Sequence, residues 1–188
     1  MSEMSESREP KPVRRIVTID DDRGASHAVV DAPSPDVRTD PARPGWASTR
    51  IWVTTASPPT VPKHFRDALL LPQMMVPPPH GSLCRIVTIP PDAAWRGKVG
   101  AGEVAAHFQA MGAPHASTYA RNAPHPYMQK TSTLDFCLIL DGEVTLVLDT
   151  EEVALKAGDT VVQRGTNHAW SNRGDKPCRI AISSHDAA

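Results

Sequence analysis

A chain of 188 residues and 20.3 kDa has the length of one domain with an extension. Lys+Arg 20 against Asp+Glu 21 leaves a formal charge of −1, without the basic stripe of a general nucleic-acid binder. No apolar run approaches the ~20 residues of a membrane helix, so neither nucleic acid nor membrane is an expected partner.

Residues 1–13 (MSEMSESREPKPV) are polar, acidic and spotted with proline, the composition of a disordered tail. No apolar stretch follows a basic start as in a secretory signal, and the expected location is cytoplasmic. Eighteen of the 19 prolines stand at or before Pro126. Proline cannot donate to a sheet ladder, so the first two thirds should hold short strands and loops. Residues 15–19, 27–30, 48–55 and 85–89 read as β-rich runs, being enriched in Val, Ile, Thr and Trp. Residues 58–79 carry seven prolines and predict an irregular connection laid over the surface. One short helix is expected over 103–111. Val104, His107, Phe108 and Met111 recur at i, i+3, i+4 and i+7, and Gly112 supplies a stop. His107 on that face reads as a packed histidine.

From Leu134 the pattern changes to period two. The segments LDFCLIL, VTLVLD, VALKAGD, TVVQRGT, HAWSN and CRIAISS read as six short antiparallel strands, with an Asp141-Gly142 hairpin signal after the first. Asp135, Cys137 and Ile139 share one face of the first strand, and Phe136, Leu138 and Leu140 share the other. Both faces are apolar, so the outer one needs cover from the proline-rich segment, the helix or a second subunit. Cys84, Cys137 and Cys178 are odd in number and lack CxxC spacing, which argues against a disulfide framework or a zinc knuckle.

Two spaced motifs give the chain a resemblance. Asp135 is followed by Gly142 seven positions later, and Gly165, His168 and Asn172 follow Ala157-Gly158-Asp159 with the spacing Gly-x-x-His-x-x-x-Asn. In this it resembles the cupin superfamily, and its upstream organisation is similar to small bacterial cupins with an N-terminal extension. The resemblance implies an all-β cupin barrel (a double-stranded β-helix or jelly roll) over 123–188. Residues 14–122 would be a β-rich, proline-rich extension wrapping it, and a homodimer is expected. The departures are specific. Gln129 and Thr131 occupy the positions of the two first-motif histidines, and Gln163 replaces the second-motif proline. Asp135 and His168 alone keep the type of the usual metal ligands.

An acid on an otherwise apolar strand is costly unless it has a purpose. Asp135 and His168 are therefore the candidate catalytic pair. In one version they bind a divalent Zn, Fe, Mn or Ni ion, with help from Gln129 and from His125, which four residues of extended chain would place on the same side. In the other version Asp135 orients His168 as a metal-free proton shuttle. Gln129, Thr131, Tyr127, Arg164 and Trp170 are candidate substrate contacts. The expected function is a cupin-type enzyme, decarboxylase-, isomerase- or dehydratase-like, acting on a small organic acid or carbonyl compound. The alternative is a non-catalytic binding or sensing module whose metal site has decayed. Phosphate loop, dinucleotide fingerprint and nucleophile elbow are all missing from the sequence, so no nucleotide cofactor is expected.

Overall fold

The computed structural model describes residues 10–72 and 74–187. Most of the expected tail, residues 1–9, lies outside them. Eleven strands are described: β1 (Arg14–Asp20), β2 (Ser26–Pro33), β3 (Val37–Thr39), β4 (Ala47–Thr54), β5 (Ser82–Ile89), β6 (Thr133–Asp141), β7 (Glu143–Val147), β8 (Glu152–Lys156), β9 (Thr160–Arg164), β10 (Ala169–Ser171) and β11 (Cys178–Asp186). The helix α1 spans Ala101–Ala110. All six C-terminal strands fall where the period-two reading expects them. They do so because alternate residues are apolar and the breaks between them carry turn residues.

The strands form two sheets and a separate hairpin, β1-β2. The larger sheet runs β3-β4-β5-β11-β6-β9 and the smaller β10-β7-β8, and every pairing is antiparallel. Val87, Ile89, Ile139 and Ile180 of the larger sheet share one apolar core with Val144, Leu146 and Trp170 of the smaller. The helix closes that core with Val104, Phe108 and the adjoining Met111. This is the all-β, double-sheet architecture expected of a cupin.

Residues 14–122 do more than wrap the C-terminal strands. They supply β3, β4 and β5, three of the six strands of the larger sheet, and β5 pairs with β11 along its whole length from Ser82↔His185 to Ile89↔Cys178. The proline-rich connection is irregular, as expected, apart from one 3-10 turn at Ala68–Leu70. Two arginines tie it down. Arg15 pairs with Asp67, and Arg50 donates to the carbonyls of Leu69, Leu71 and Pro72.

The hairpin expected at Asp141-Gly142 does not form, because β6 and β7 belong to different sheets; the sharp crossing between the sheets depends on Gly142. Its φ is +74°, and a Cβ there would lie 2.9 Å from the carbonyl oxygen of Pro177, so backbone freedom and space both require glycine. On β6 the alternation is as read: Asp135, Cys137 and Ile139 are buried, while Phe136, Leu138 and Leu140 are exposed. With Val162 of β9 opposite Phe136, the outer face presents an apolar stripe to solvent. The second subunit expected from the sequence would cover it.

Candidate functional site

The inner face of the larger sheet carries charged and polar side chains that strand alternation places together. Asp135 on β6 lies opposite Gln163 on β9 and Ser184 on β11, and all three are buried. One row away, Ile182 of β11 lies between Cys137 of β6 and Arg85 of β5. His168 enters from the segment before β10, where a two-residue bridge joins its backbone to that of Gln129 in both directions, at 2.8 and 2.9 Å. The tight approach before it needs Gly165, since a Cβ there would lie 2.9 Å from the Thr131 carbonyl oxygen.

The hydrogen bonds of His168 determine its tautomer. Its Nδ1 lies 2.9 Å from the carbonyl oxygen of Thr166, which can only accept, so Nδ1 carries the proton. Its Nε2 is then a bare acceptor and takes a 3.2 Å hydrogen bond from the Gln129 side-chain amide. Burial lowers the pKa of this imidazole, and the nearby charge of Arg85 adds to the effect. The Thr166 carbonyl and Asp135 oppose it without reversing it. His168 is therefore neutral at neutral pH, with a basic lone pair turned inward. Oδ1 of Asp135 is buried without a hydrogen-bond partner. So are Nε of Arg85 and Nε2 of Gln163, whose Oε1 accepts from Thr166 Oγ1.

A cavity of about 50 Å³ is lined by Gln129 and not by His168 or Asp135 themselves. Its walls include Arg43, Arg85, His107, Tyr127, Gln129 and Trp170. Gln129 thus touches both the cavity and His168. Trp170 meets the His168 ring edge-on at 6.0 Å and lines the cavity as part of the apolar core. Tyr127 also lines it, but its hydroxyl donates to Asp40 Oδ2 at 3.3 Å, and burial drives its pKa upward, so it is a poor acid at this site.

Three expected residues fall elsewhere. Arg164 is exposed, because Gln163 occupies the inward position of β9 and its neighbour must point out. Thr131 is half-buried and spends its hydroxyl on Thr133 Oγ1 at 2.8 Å. His125 is fully buried, but against Trp95, Tyr127 and Asp92. Its Nδ1 accepts from the Tyr127 backbone N–H at 3.2 Å, and its Nε2 is 3.6 Å from Asp92 Oδ2. The segment at His125 bends and turns, with Met128 N–H donating to the His125 carbonyl at 3.3 Å, so counting alternate residues back from Gln129 fails there. Asp92 is itself held by Ser171 Oγ at 2.6 Å and the Asn172 N–H at 3.2 Å. The motif asparagine, Asn172, is structural: its amide donates to the carbonyls of Ile89 and Lys176.

These placements decide whether the residues fit the divalent metal of the usual cupin site. Among the described residues no three His, Cys, Asp or Glu side chains come together in a metal-holding group. A catalytic metal site ordinarily keeps three protein ligands, and here one histidine and one aspartate stand beside a buried guanidinium. The donor set does not fit. Cys137 does not complete it, since burial pushes its thiol pKa up to about 12.

The sequence reading missed Arg85, Arg43 and the network behind them. Asp40 accepts from Arg43 Nε at 2.8 Å and lies 3.2 Å from His107 Nδ1, and the Arg43 guanidinium stacks 3.6 Å above the Tyr127 ring. His107 is thus packed, as read, but within a polar network on the cavity wall. Arg85 had a legible signal: it alternates with Leu83, Val87 and Ile89, a lone charge on an apolar face, as Asp135 is.

Residues 118–184 match the family model of the cupin domain, which places a cupin domain in this part of the chain. It is 55% identical over 47 residues to phomopsin biosynthesis cluster protein C′ of Diaporthe leptostromiformis, a stretch that is 24% of this chain and 25% of that protein. Oryzines biosynthesis cluster protein J of Aspergillus oryzae is 46% identical over 48 residues, 25% of this chain and 27% of its own. The chain thus matches only about a quarter of these relatives' length. Among solved structures, the cupin domain of Schizosaccharomyces pombe Cnp3 is similar with a TM-score of 0.43 and 11% identity, over 92% of this chain and 87% of that one. A cupin-superfamily sugar phosphate isomerase from Silicibacter pomeroyi has a TM-score of 0.39 and 17% identity, over 94% and 72%.

Two outcomes follow from the site. Gln129→His puts a third ligand-type side chain at the position whose amide lies 3.2 Å from His168 Nε2. The variant should retain near-stoichiometric Zn or Ni through dialysis where the wild type does not, as read by elemental analysis. Equal retention by the wild type would contradict the misfit. The pH dependence of stability has a defined sign. Burial lowers the pKa of His107, His125 and His168, so below the ordinary histidine value of about 6.5 the unfolded chain takes up protons that the folded chain refuses. The melting temperature should hold above pH 7 and fall between pH 6.5 and 5. A flat profile in a calorimetric scan would contradict the neutral assignment.

Proposed function

We propose that this protein is a small-molecule enzyme of the cupin type in which His168 acts as a general base. It would abstract a proton from carbon next to a carbonyl, without a metal ligand set. The observation that carries this reading is the His168 tautomer: Nδ1 is spent on the Thr166 carbonyl, and a neutral, basic Nε2 faces the interior. A general base must be unprotonated at the working pH, which burial favours here. The negative charge that develops on the substrate oxygen needs a donor, and the Gln129 amide on the cavity wall can supply it. Asp135, electrostatically coupled to His168, favours the imidazolium once the proton has moved.

Gln129 fills the place at Nε2 that a substrate proton must take. Binding therefore displaces the Gln129 amide from His168 toward the substrate oxygen, which couples recognition to exposure of the base. Such chemistry leads to isomerisation when the enolate is reprotonated at another carbon and to dehydration when a β-hydroxyl leaves as water, while a decarboxylation would reach the same enolate by loss of CO2, with protonated His168 returning the proton. The relatives named as biosynthesis cluster proteins and the solved sugar phosphate isomerase are compatible with small-molecule work of this kind.

The test is deuterium exchange in D2O, followed by proton NMR, over a panel of short 2-oxo acids, 3-oxo acids and ketones. Wild-type protein should wash deuterium into the position next to the carbonyl of at least one compound. His168→Ala should slow that exchange by about 10²–10⁴-fold, the usual worth of a general base. The rate should fall with pH only below about 6.5, as the lowered pKa requires. Exchange unaffected by His168→Ala would remove the assignment. No exchange across the panel would favour a binding module.

A further inference from the structure

The residue that the structure leaves without an occupation is Arg85. It is 8% exposed and lines the cavity, yet among the described residues it makes no hydrogen bond and no direct ion pair. Its partner across the β4–β5 ladder, Arg50, shows what a satisfied buried arginine looks like here: it is held by Asp36 and by three backbone carbonyls. Arg43, the other guanidinium on the cavity wall, is likewise held by Asp40. Asp135 attracts Arg85 only through space, and a buried guanidinium without a hydrogen bond is costly to retain, so a ligand is expected to complete its pairing.

We infer that Arg85 is the receptor for the carboxylate of a short-chain organic acid bound in this cavity. The guanidinium fork matches a carboxylate through two parallel N–H···O bonds, a geometry that a neutral carbonyl cannot use in full. Both charged side chains on the cavity wall are guanidinium groups, and the rest of the wall is largely aromatic and aliphatic, including Trp46, Phe108 and Ile182. A low-dielectric pocket of that kind strengthens the attraction to an anion. Size narrows the class. About 50 Å³ is room for roughly three to five water molecules at ~10–15 Å³ each, which suits an acid of about four to six non-hydrogen atoms. Asp135 is not among the lining residues, so the carboxylate would bind on the Arg85 side, away from the like charge. Gln129 then faces the remainder of the ligand, which points toward His168.

This assignment deepens the reading of the site as a small-molecule enzyme by naming its substrate class, and it is tested without turnover. Isothermal titration of the full chain would use acetate, acrylate and pyruvate, each paired with its neutral amide. At least one acid should bind saturably at one site per chain. Its amide should bind about tenfold to hundredfold more weakly, the loss expected for a charge-assisted hydrogen bond. Arg85→Met should lose a similar factor, with Arg85→Lys falling between the two and serving as the informative variant if Arg85→Met does not fold. Saturable binding of an acid over its amide without His168-dependent exchange would fail the proton-transfer reading alone, whereas exchange with equal binding of acid and amide would fail this one. Absence of binding by all three acids, equal binding of the amides, or full binding by folded Arg85→Met would each overturn the assignment.

Discussion

Strand alternation across the larger sheet confines charge to the space between the two sheets, and the character of the site follows from that confinement. Asp135 and Arg85 sit on the inner face because β6 and β5 place every second residue there, in strands whose other inward residues are mostly apolar. Neither meets the other directly, and Asp135 Oδ1 and Arg85 Nε are buried without hydrogen bonds. Packing them against Val87, Ile139 and Ile182 raises the energetic stake of each unsatisfied atom, since a low dielectric strengthens paired charges and penalises unpaired ones. A fold that retains such groups trades stability for a place where a polar ligand can complete the pairing.

The same confinement explains how the chain departs from the usual cupin site. Where cupins resembling it carry histidines, it has Gln129 and Thr131. Gln129 still touches His168, but as an amide hydrogen-bonded to the imidazole, while Thr131 turns to Thr133. The centre of the site has thus moved from a ligand cluster toward a neutral histidine, an amide and a guanidinium, with the aromatic wall of Trp46, Trp170 and Tyr127 beside them. The scaffold that presents them is unchanged in its logic: Gly142 and Gly165 allow the close turns, and Asn172 locks the segment after β10 to Ile89 and Lys176.

Much of this was legible in the sequence, and what was not has physical causes. The six C-terminal strands and the face assignment on β6 were legible because their period is a local property undisturbed by proline. The helix face of Val104, His107 and Phe108 was legible for the same local reason. That β5 pairs with β11 was not, because the partners lie about a hundred residues apart and nothing local records the pairing. Hence residues 14–122 read as a wrap when they contribute half of the main sheet. His125 read as a neighbour of Gln129 because Pro126 favours extension before it, whereas a bend and a turn separate the two. Arg85 sat in a run read only for its strand composition, and the argument that singled out Asp135 applied to it equally.

The central claim is that His168 is held neutral, protonated on Nδ1, with an unprotonated Nε2 that accepts from Gln129 inside a site that is not built for a metal. Nitrogen-15 NMR of the imidazoles tests it most directly, because the two ring nitrogens report protonation separately. At pH 7 the account predicts a neutral His168 ring with a pyrrole-type Nδ1 and a pyridine-type Nε2, converting to imidazolium only below pH ~6.5. An imidazolium signal at pH 7, or the proton on Nε2, would contradict it.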